Sequence, residues 1–312
     1  MAKANYEPYG MNFIKGPTGR FTNGRTTADF IAEYLGLPYA PPYMGSQGLE
    51  QLTGLNFASA SCGILPETGY NLGKCLNLAE QVDYFERVVQ QELPKHFQSP
   101  DELSNYLSKS VFIISIGSND YINNYLHVPQ YNTSTRYTPD SFAQLLVGNL
   151  SQQFQRLYQL GARKLVMFEL GPIGCIPSNT RLYNPTGRCI EQLNRLTLTF
   201  NTQLAQMLRN LESTLQGSNF VLAQSYQLAY DAMINPSKYG FSDTTNPCCA
   251  TWFNVPSGCV PAPGVQACPH PEDHFFWDGV HLTETVYETV ASSCFNGSSF
   301  CVPKNIQELV LQ

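Results

Sequence analysis

The stretch SVFIISIGSND, residues 110–120, decides the fold class of this chain. Its run of β-branched and apolar residues ends at a glycine, which is the form of a strand buried on both faces of a sheet. The segment YTPDSFAQLLVGNLSQQFQRLYQLG, residues 137–161, follows as an amphipathic helix with a Thr-Pro start and a glycine stop. RKLVMFELGPIGC, residues 163–175, gives a second buried strand. This order predicts a right-handed βαβ unit and a parallel sheet.

Segments on both sides of this unit continue the alternation. We predict helices over residues 26–37, 77–93 and 189–216, and strands over 54–60 (GLNFASA) and 218–226 (SNFVLAQSY). Residues 235–275 are irregular and rich in cysteine and proline, and no repeat or linker divides the chain. The sequence therefore predicts an α/β fold in one domain that spans residues 1–312.

Composition excludes several functional classes. The 312 residues can bury a sizeable core, and only 13% of them are charged. The formal net charge is −6 and no basic run occurs, so we expect no binding to nucleic acid. No apolar stretch has the length that a bilayer-spanning helix needs, about 20 residues.

Ten cysteines fall into local groups. An even count in such groups is typical of disulfides formed in an oxidising compartment. We expect the pairs Cys62–Cys75, Cys175–Cys189 and Cys294–Cys301, and separate bonds from adjacent Cys248 and Cys249 to Cys259 and Cys268. Zinc is the alternative, because His270, His274 and His281 lie near the third group, but no C-x-x-C pair favours it. We expect no metal and no cofactor.

Signals for the cellular location disagree. Three sequons, at Asn132, Asn149 and Asn296, together with the cysteines, favour a secreted glycoprotein. The first ten residues, MAKANYEPYG, have no apolar core and cannot act as a signal peptide.

Three segments place candidate site residues where the strands of such a sheet end. Residues 54–63, GLNFASASCG, could direct backbone N–H groups into a site, and GSND presents Asn119 after a strand. In HFFWDGVHLTETV, residues 274–286, Asp278 could hold His281 as a general base. Each also has a purely structural interpretation: a strand and turn, an Asx turn, and a capped helix start.

The combination resembles the plant GDSL esterase/lipase family of the SGNH hydrolase superfamily. The resemblance covers nearly the whole chain, through segments that include GPTGRFTNGRTTADFIAEYLGL, GLNFASASCGILPETG, SIGSNDYINNY, LGPIGCIPSN, CIEQLNRLTLTFN and FFWDGVHLTE. It implies a three-layer α/β/α fold around a five-stranded parallel sheet, and hydrolysis of acyl esters or lipids by a serine nucleophile without metal. Whether the substrate is a fatty acyl, polysaccharide or phenolic ester stays open.

The resemblance assigns roles to four residues. Asp278 and His281 match the acid and base, and Asn119 matches a donor to the oxyanion. The second donor is a backbone N–H, which we assign to Ser61, with Gly54 as the other candidate. Proline usually follows the histidine in the family, whereas Leu282 stands here.

The family's first block, a strand that ends in Gly-Asp-Ser and carries the nucleophile, has no match. No Gly-Asp-Ser and no Gly-x-Ser-x-Gly occurs in the 312 residues, and Ser59, Ser61 and Ser118 lie beside the oxyanion donors, where a nucleophile is not expected. The resemblance places the missing strand inside the sheet, so we expect this chain alone to be inactive, and either unstable or rearranged. A truncated gene model or an alternative transcript explains this pattern. The alternative is a pseudo-enzyme that binds esters without hydrolysing them.

Overall fold

The computed structural model describes residues 2–45, 52–127, 130–249, 258–259 and 266–312. Among these residues the main sheet has four strands: β1 (Val111–Ile114), β2 (Lys164–Phe168), β3 (Asn219–Ala223) and β6 (Cys301–Val302). The first three run parallel in the order β1-β2-β3, and β6 pairs antiparallel with β3. The predicted βαβ unit and mainly parallel sheet are confirmed.

Helices make up most of the rest of the described chain. They are α1 (Thr27–Tyr34), α2 (Leu78–Arg87), α3 (Pro100–Lys109), α4 (Ser118–Asp120), α5 (Thr133–Arg136), α6 (Pro139–Gln159), α7 (Pro177–Tyr183), α8 (Glu191–Thr214), α9 (Ser225–Ile234), α10 (Glu284–Asn296) and α11 (Ile306–Val310). A second, two-stranded sheet pairs β4 (Asp243–Pro247) with β5 (His274–Phe276). Within the described ranges, each helix is too short or too polar to cross a bilayer.

The sheet separates two apolar layers, because side chains on a strand alternate between its faces. Leu165 and Met167 of β2 pack in one cluster with α2, α6 and α8. Val166 and Phe168, the alternate positions, pack in another with α1, α10 and α11. The α/β/α fold class is thereby confirmed.

Two strand predictions were wrong in part. Residues 54–60 form no strand; only Asn56 makes an isolated bridge, to Pro42, and both Asn56 and Ala58 are exposed. A strand needs a ladder partner, and none of the described residues offers this segment a second bridge. β1 is half-buried, not fully buried, and within the described chain it pairs only with β2.

The structure pairs all ten cysteines. The bonds are Cys62–Cys75, Cys175–Cys189, Cys248–Cys268, Cys249–Cys259 and Cys294–Cys301. The sulfurs near the three histidines are thus bonded to one another and do not offer thiolate ligands to zinc. Of the stretch predicted to be irregular, residues 250–257 and 260–265 lie outside the described residues.

Candidate active site

A short hairpin carries the Asp-x-x-His motif. Phe276, the last residue of β5, pairs antiparallel with Leu282, and the N–H of Trp277 donates to the carbonyl of His281 at 2.8 Å. The N–H of Thr283 donates to the carbonyl of Phe275 at 3.1 Å, closing the same ladder. The three residues 278–280 are therefore confined to the tip of the hairpin, ahead of α10.

The hairpin tip brings the two motif residues into direct contact. His281 Nδ1 lies 2.7 Å from Oδ2 and 2.9 Å from Oδ1 of Asp278. Asp278 is fully buried, whereas the His281 side chain is 34% exposed. A carboxylate that accepts from Nδ1 fixes the imidazole ring and leaves Nε2 as the nitrogen not bonded to it, as a general base requires.

Asp278 accepts further hydrogen bonds that the sequence did not indicate. Its Oδ1 accepts from the backbone N–H groups of Val280 and His281, at 2.9 and 2.7 Å. Its Oδ2 accepts from the hydroxyl of buried Tyr9 at 2.7 Å. Burial, and then the Asp278 charge, raise the pKa of Tyr9 far above its usual value, so the phenol stays protonated and donates.

Tyr9 also connects Asp278 to a disulfide. The N–H of Cys259, which is bonded to Cys249, donates to the Tyr9 hydroxyl at 3.0 Å. The neighbouring Tyr6 hydroxyl donates to the carbonyl of Cys259 at 2.8 Å. The acid is therefore held in place by residues near the start of the chain. No residue spacing near the start of the chain signals this contact.

The same N-terminal region also covers the base and anchors α10. The ring of Phe21 lies 4.7 Å, between centroids, from the His281 ring. Arg25 pairs with Glu284 at 2.6 Å, and Asn23 accepts from the N–H of Glu284 at 2.8 Å. The first turn of α10 is thus fixed directly beyond the hairpin.

The predicted oxyanion donors lie in a second cluster. Asn119 Nδ2 donates to the carbonyl of Cys62 at 2.9 Å, and Asn119 Oδ1 accepts from Asn123 Nδ2 at 3.0 Å. Asn123 Nδ2 also reaches the carbonyl of Ser61 at 3.3 Å. Ser61 has φ 69°, a left-handed conformation that is uncommon outside glycine. The structure therefore brings Asn119 and the turn at Ser61 together.

A buried carboxylate joins the two segments of this cluster. Asp120 accepts from the N–H groups of Ile64 and Leu65, at 2.8 and 3.0 Å, and from the Thr68 hydroxyl at 2.8 Å. Burial raises the pKa of Asp120 to about 6, although the hydrogen bonds act in the opposite direction. A Cβ on Gly63 would lie 2.3 Å from this carboxylate, so only glycine fits there. The sequence suggests only a local Asx turn at Asn119 and Asp120, and no pattern in it indicates these bonds to residues 64–68.

Packing, not hydrogen bonding, relates the hairpin to the oxyanion cluster. Ile122, three residues after Asn119, packs against the apolar cluster that also contacts Val280 and Leu282. No hydrogen bond between described residues joins Asn119 to His281 directly. The hairpin tip is held instead by α7, where the N–H of Ser178 donates to the carbonyl of Gly279 at 2.9 Å.

Comparison with known proteins shows the family of this chain. The model of the GDSL-like lipase/acylhydrolase family matches residues 4–293. GDSL esterase/lipase 7 of Arabidopsis thaliana is 42% identical over 315 residues, which cover 99% of this chain and 86% of that protein. GDSL esterase/lipase At1g33811, also of Arabidopsis thaliana, is 42% identical over 99% of this chain and 85% of its own length. The chain belongs to the GDSL lipase/acylhydrolase family, whose members are ester hydrolases.

Proposed function

We propose that residues 1–312 form one domain that contributes the base, the orienting acid and the oxyanion donors to the hydrolysis of acyl or lipid esters. The observation that carries this proposal is the contact of His281 Nδ1 with both oxygens of buried Asp278, at 2.9 and 2.7 Å. Nε2 of His281 accepts the proton of an attacking hydroxyl while Asp278 stabilises the imidazolium. The Asn119 amide and the Ser61 N–H stabilise the oxyanion.

The nucleophile of this mechanism is a serine outside residues 1–312, since the sequence holds no Gly-Asp-Ser tripeptide. Ser59 does not take its place, because between described residues no hydrogen bond joins its hydroxyl to His281; that hydroxyl accepts instead from the N–H of Leu76 at 2.9 Å. The serine oxygen attacks the ester carbonyl and the alcohol leaves with the proton held by His281. Water, deprotonated by His281, then releases the acid from the acyl-enzyme. We therefore propose that residues 1–312 alone are inactive.

Two proteins test this proposal with p-nitrophenyl esters of different chain lengths. The first is the 312-residue chain, for which we expect no turnover above background. The second carries a Gly-Asp-Ser first block, taken from a relative, ahead of residue 2, and we expect it to hydrolyse the esters. Its His281→Ala variant and a Ser→Ala variant in the added block should each lose activity by about three orders of magnitude or more. Turnover by the 312-residue chain that His281→Ala abolishes would instead place a nucleophile within these residues.

The absence of Gly-Asp-Ser from the sequence also favours a second candidate, a non-catalytic protein that binds esters. A stable 312-residue chain that binds a phosphonate ester analogue, combined with an inactive fusion protein, would support it. The fusion assay separates the two candidates, because a binding protein gains no activity from an added serine.

We further propose that the protein is secreted and glycosylated. Asn132 and Asn296 are exposed and could carry a glycan, and the five disulfides suit an oxidising compartment. Asn149 is the weaker candidate, because its amide nitrogen donates to the carbonyl of Leu145 at 2.9 Å inside α6. Mass spectrometry of peptides from protein secreted by a eukaryotic host tests all three sites.

A further inference from the structure

Three lysines lie at the edge of the main sheet where the parallel strands begin. Lys164 is the first residue of β2, and its register partners are Val111 in β1 and Asn219 in β3. Lys109 ends α3, two residues before β1 starts. Lys304 follows β6, and its Nζ donates to Oδ1 of Asn219 at 2.8 Å. The three side chains therefore come from three elements to one edge of the sheet, opposite the edge that carries the oxyanion cluster.

The side chain of Lys164 is directed toward the other two lysines. It lies on the same face of β2 as Val166, which packs with α11, the helix that follows Lys304. Lys164 is only 7% exposed. Its Nζ has no hydrogen-bond partner among the described residues, yet it is not fully shielded from solvent. The stem is therefore buried and the ammonium group reaches the surface.

The charges of the three lysines act on one another. Burial, and then the charges of Lys109 and Lys304, lower the pKa of Lys164. Charges at a protein surface act on one another only over about 10 Å at physiological salt, so the three ammonium groups lie close together. We call Lys109, Lys164 and Lys304 the lysine patch.

The lysine patch has no paired anion among the described residues. None of the ion pairs between those residues includes Lys109, Lys164 or Lys304. Lys304 Nζ donates to neutral amide oxygens, those of Asn219 and Gln312, at 2.8 and 2.7 Å. The patch is thus positive although the formal net charge of the chain is −6. A partly buried cation is unfavourable unless an anion joins it.

The carboxylates on adjoining segments are engaged elsewhere. Glu212 accepts from the N–H of Phe220 at 3.3 Å, on the opposite face of β3. Glu308 accepts from the N–H of Asn305 at 3.0 Å, as part of the cap of α11. The anion that would balance the patch therefore has to come from outside the described residues.

We propose that the lysine patch binds a phosphate group at the amino-terminal edge of the main sheet. Lysine offers a compact ammonium on a rotatable stem and is a common phosphate ligand, whereas planar carboxylates suit the fork of an arginine. A phosphate group carries nearly two charges at neutral pH and three outer oxygens, so three separate ammonium groups can each reach it. This proposal does not depend on the proposed ester hydrolysis, because it concerns different residues and a different ligand chemistry.

Nuclear magnetic resonance of protein labelled with ¹³C-lysine tests the proposal. Inorganic phosphate and acetate are titrated separately into the 312-residue chain at neutral pH, with chloride adjusted to keep the ionic strength constant. We expect phosphate to shift the Cε–H signals of Lys109, Lys164 and Lys304 along one saturable curve, with an affinity roughly tenfold or more above that of acetate. If the 312-residue chain does not stay folded, the fusion protein of the ester assay takes its place, since it contains the same patch.

Three variants provide the comparison. Lys164→Met keeps the apolar stem and removes the charge, so we expect the phosphate affinity to fall by roughly tenfold or more. Lys109→Ala removes an exposed charge and should weaken binding several-fold, which keeps the test decisive if Lys164→Met does not fold. Lys15→Ala is the matched control: it also removes one exposed positive charge, in the N-terminal region that covers His281, and should leave the affinity unchanged.

Vesicles of phosphatidylcholine, with and without phosphatidic acid, show where the phosphate comes from. Binding to the phosphatidic acid vesicles that Lys109→Ala weakens identifies a lipid head group, whereas binding of inorganic phosphate alone identifies a free phosphate. The proposal is overturned if phosphate gives no saturable shift, if acetate binds equally tightly, or if Lys15→Ala weakens binding as much as Lys109→Ala does. General ionic screening would then explain the response. None of these results bears on ester hydrolysis, which the fusion assay tests separately.

Discussion

The acid–base hairpin, residues 274–283, and the oxyanion cluster, residues 61–68 with 118–125, are held by different kinds of contact. In the hairpin, a backbone ladder positions Asp278, which then accepts from two backbone N–H groups of its own turn. In the oxyanion cluster no ladder is present between the two described segments. Side chains join them instead, above all Asp120, which bonds residues 55 and 56 positions away in the sequence.

The hairpin and the oxyanion cluster therefore differ in how much each depends on the rest of the fold. In the hairpin, two backbone N–H groups of its own turn fix Asp278 beside His281, and Tyr9 is the one distant side chain that donates to this carboxylate. The oxyanion cluster stands beside β1, whose second edge has no partner among the described residues, and the segment expected to be a strand, residues 54–60, makes only one bridge. We therefore expect substitutions in the hairpin to perturb mainly its own contacts, and substitutions around Asp120 to perturb more distant residues as well.

The largest effect should follow from Asp278→Ala. The substitution leaves the Tyr9 hydroxyl, two backbone N–H groups and His281 Nδ1 without their buried acceptor. We expect the free energy of unfolding to fall by about 3–5 kcal/mol, measured by urea denaturation. His281→Ala is the matched control, because that side chain is 34% exposed, and it should cost less than half as much. Equal losses would contradict a hairpin built around the carboxylate.

Contacts between residues close in the sequence could be predicted from it, whereas contacts between distant residues could not. Asp278 and His281 are three residues apart in one hairpin, so local pattern was enough to pair them. The alternating faces of β2 follow equally from local periodicity. Tyr9 and Asp278 are 269 residues apart, and a lone tyrosine has no spacing that reveals such a contact. GLNFASA has strand composition, but composition cannot supply the neighbouring strand that makes a ladder.

The next largest effect concerns Asp120 and pH. Its pKa is raised from 3.8 to about 6 in the folded chain, so between these values the folded state binds more protons than the unfolded state. Stability should therefore fall as pH rises from about 4 to about 6, by roughly 3 kcal/mol in total, and level off above that window.

Asp120→Asn tests this dependence, because asparagine does not titrate. The variant should lose the decrease between about pH 4 and pH 6 when unfolding free energies are measured across that window. Asp101→Asn, at an exposed position in the first turn of α3, should keep it. An unchanged slope in Asp120→Asn would show that this carboxyl is not the group that titrates.

Tyr9→Phe should have a smaller effect, confined to the hairpin. It removes the donor to Asp278 and the acceptor of the Cys259 N–H, so we expect a loss of about 2 kcal/mol in unfolding free energy. Tyr6→Phe is the matched control: it removes one partly buried bond to the carbonyl of Cys259 and should cost about 1 kcal/mol or less. The resonance of the His281 Nδ1 proton should move in Tyr9→Phe only. A shift in both variants would indicate a general loosening of the N-terminal region.

The smallest effect should follow from a substitution at Asn77, which tests whether a perturbation of α2 reaches the turn of the oxyanion cluster. Asn77 caps α2 by accepting from Glu80, and the N–H of the next residue, Leu78, donates to the carbonyl of Gly63 at 3.1 Å. Asn77→Ala should cost about 1 kcal/mol, as should Asn305→Ala, which removes the same capping arrangement from α11. Only Asn77→Ala should also speed amide hydrogen exchange at residues 61–65, because α2 anchors that turn. Equal exchange in the two variants would show that the turn is held by Asp120 alone.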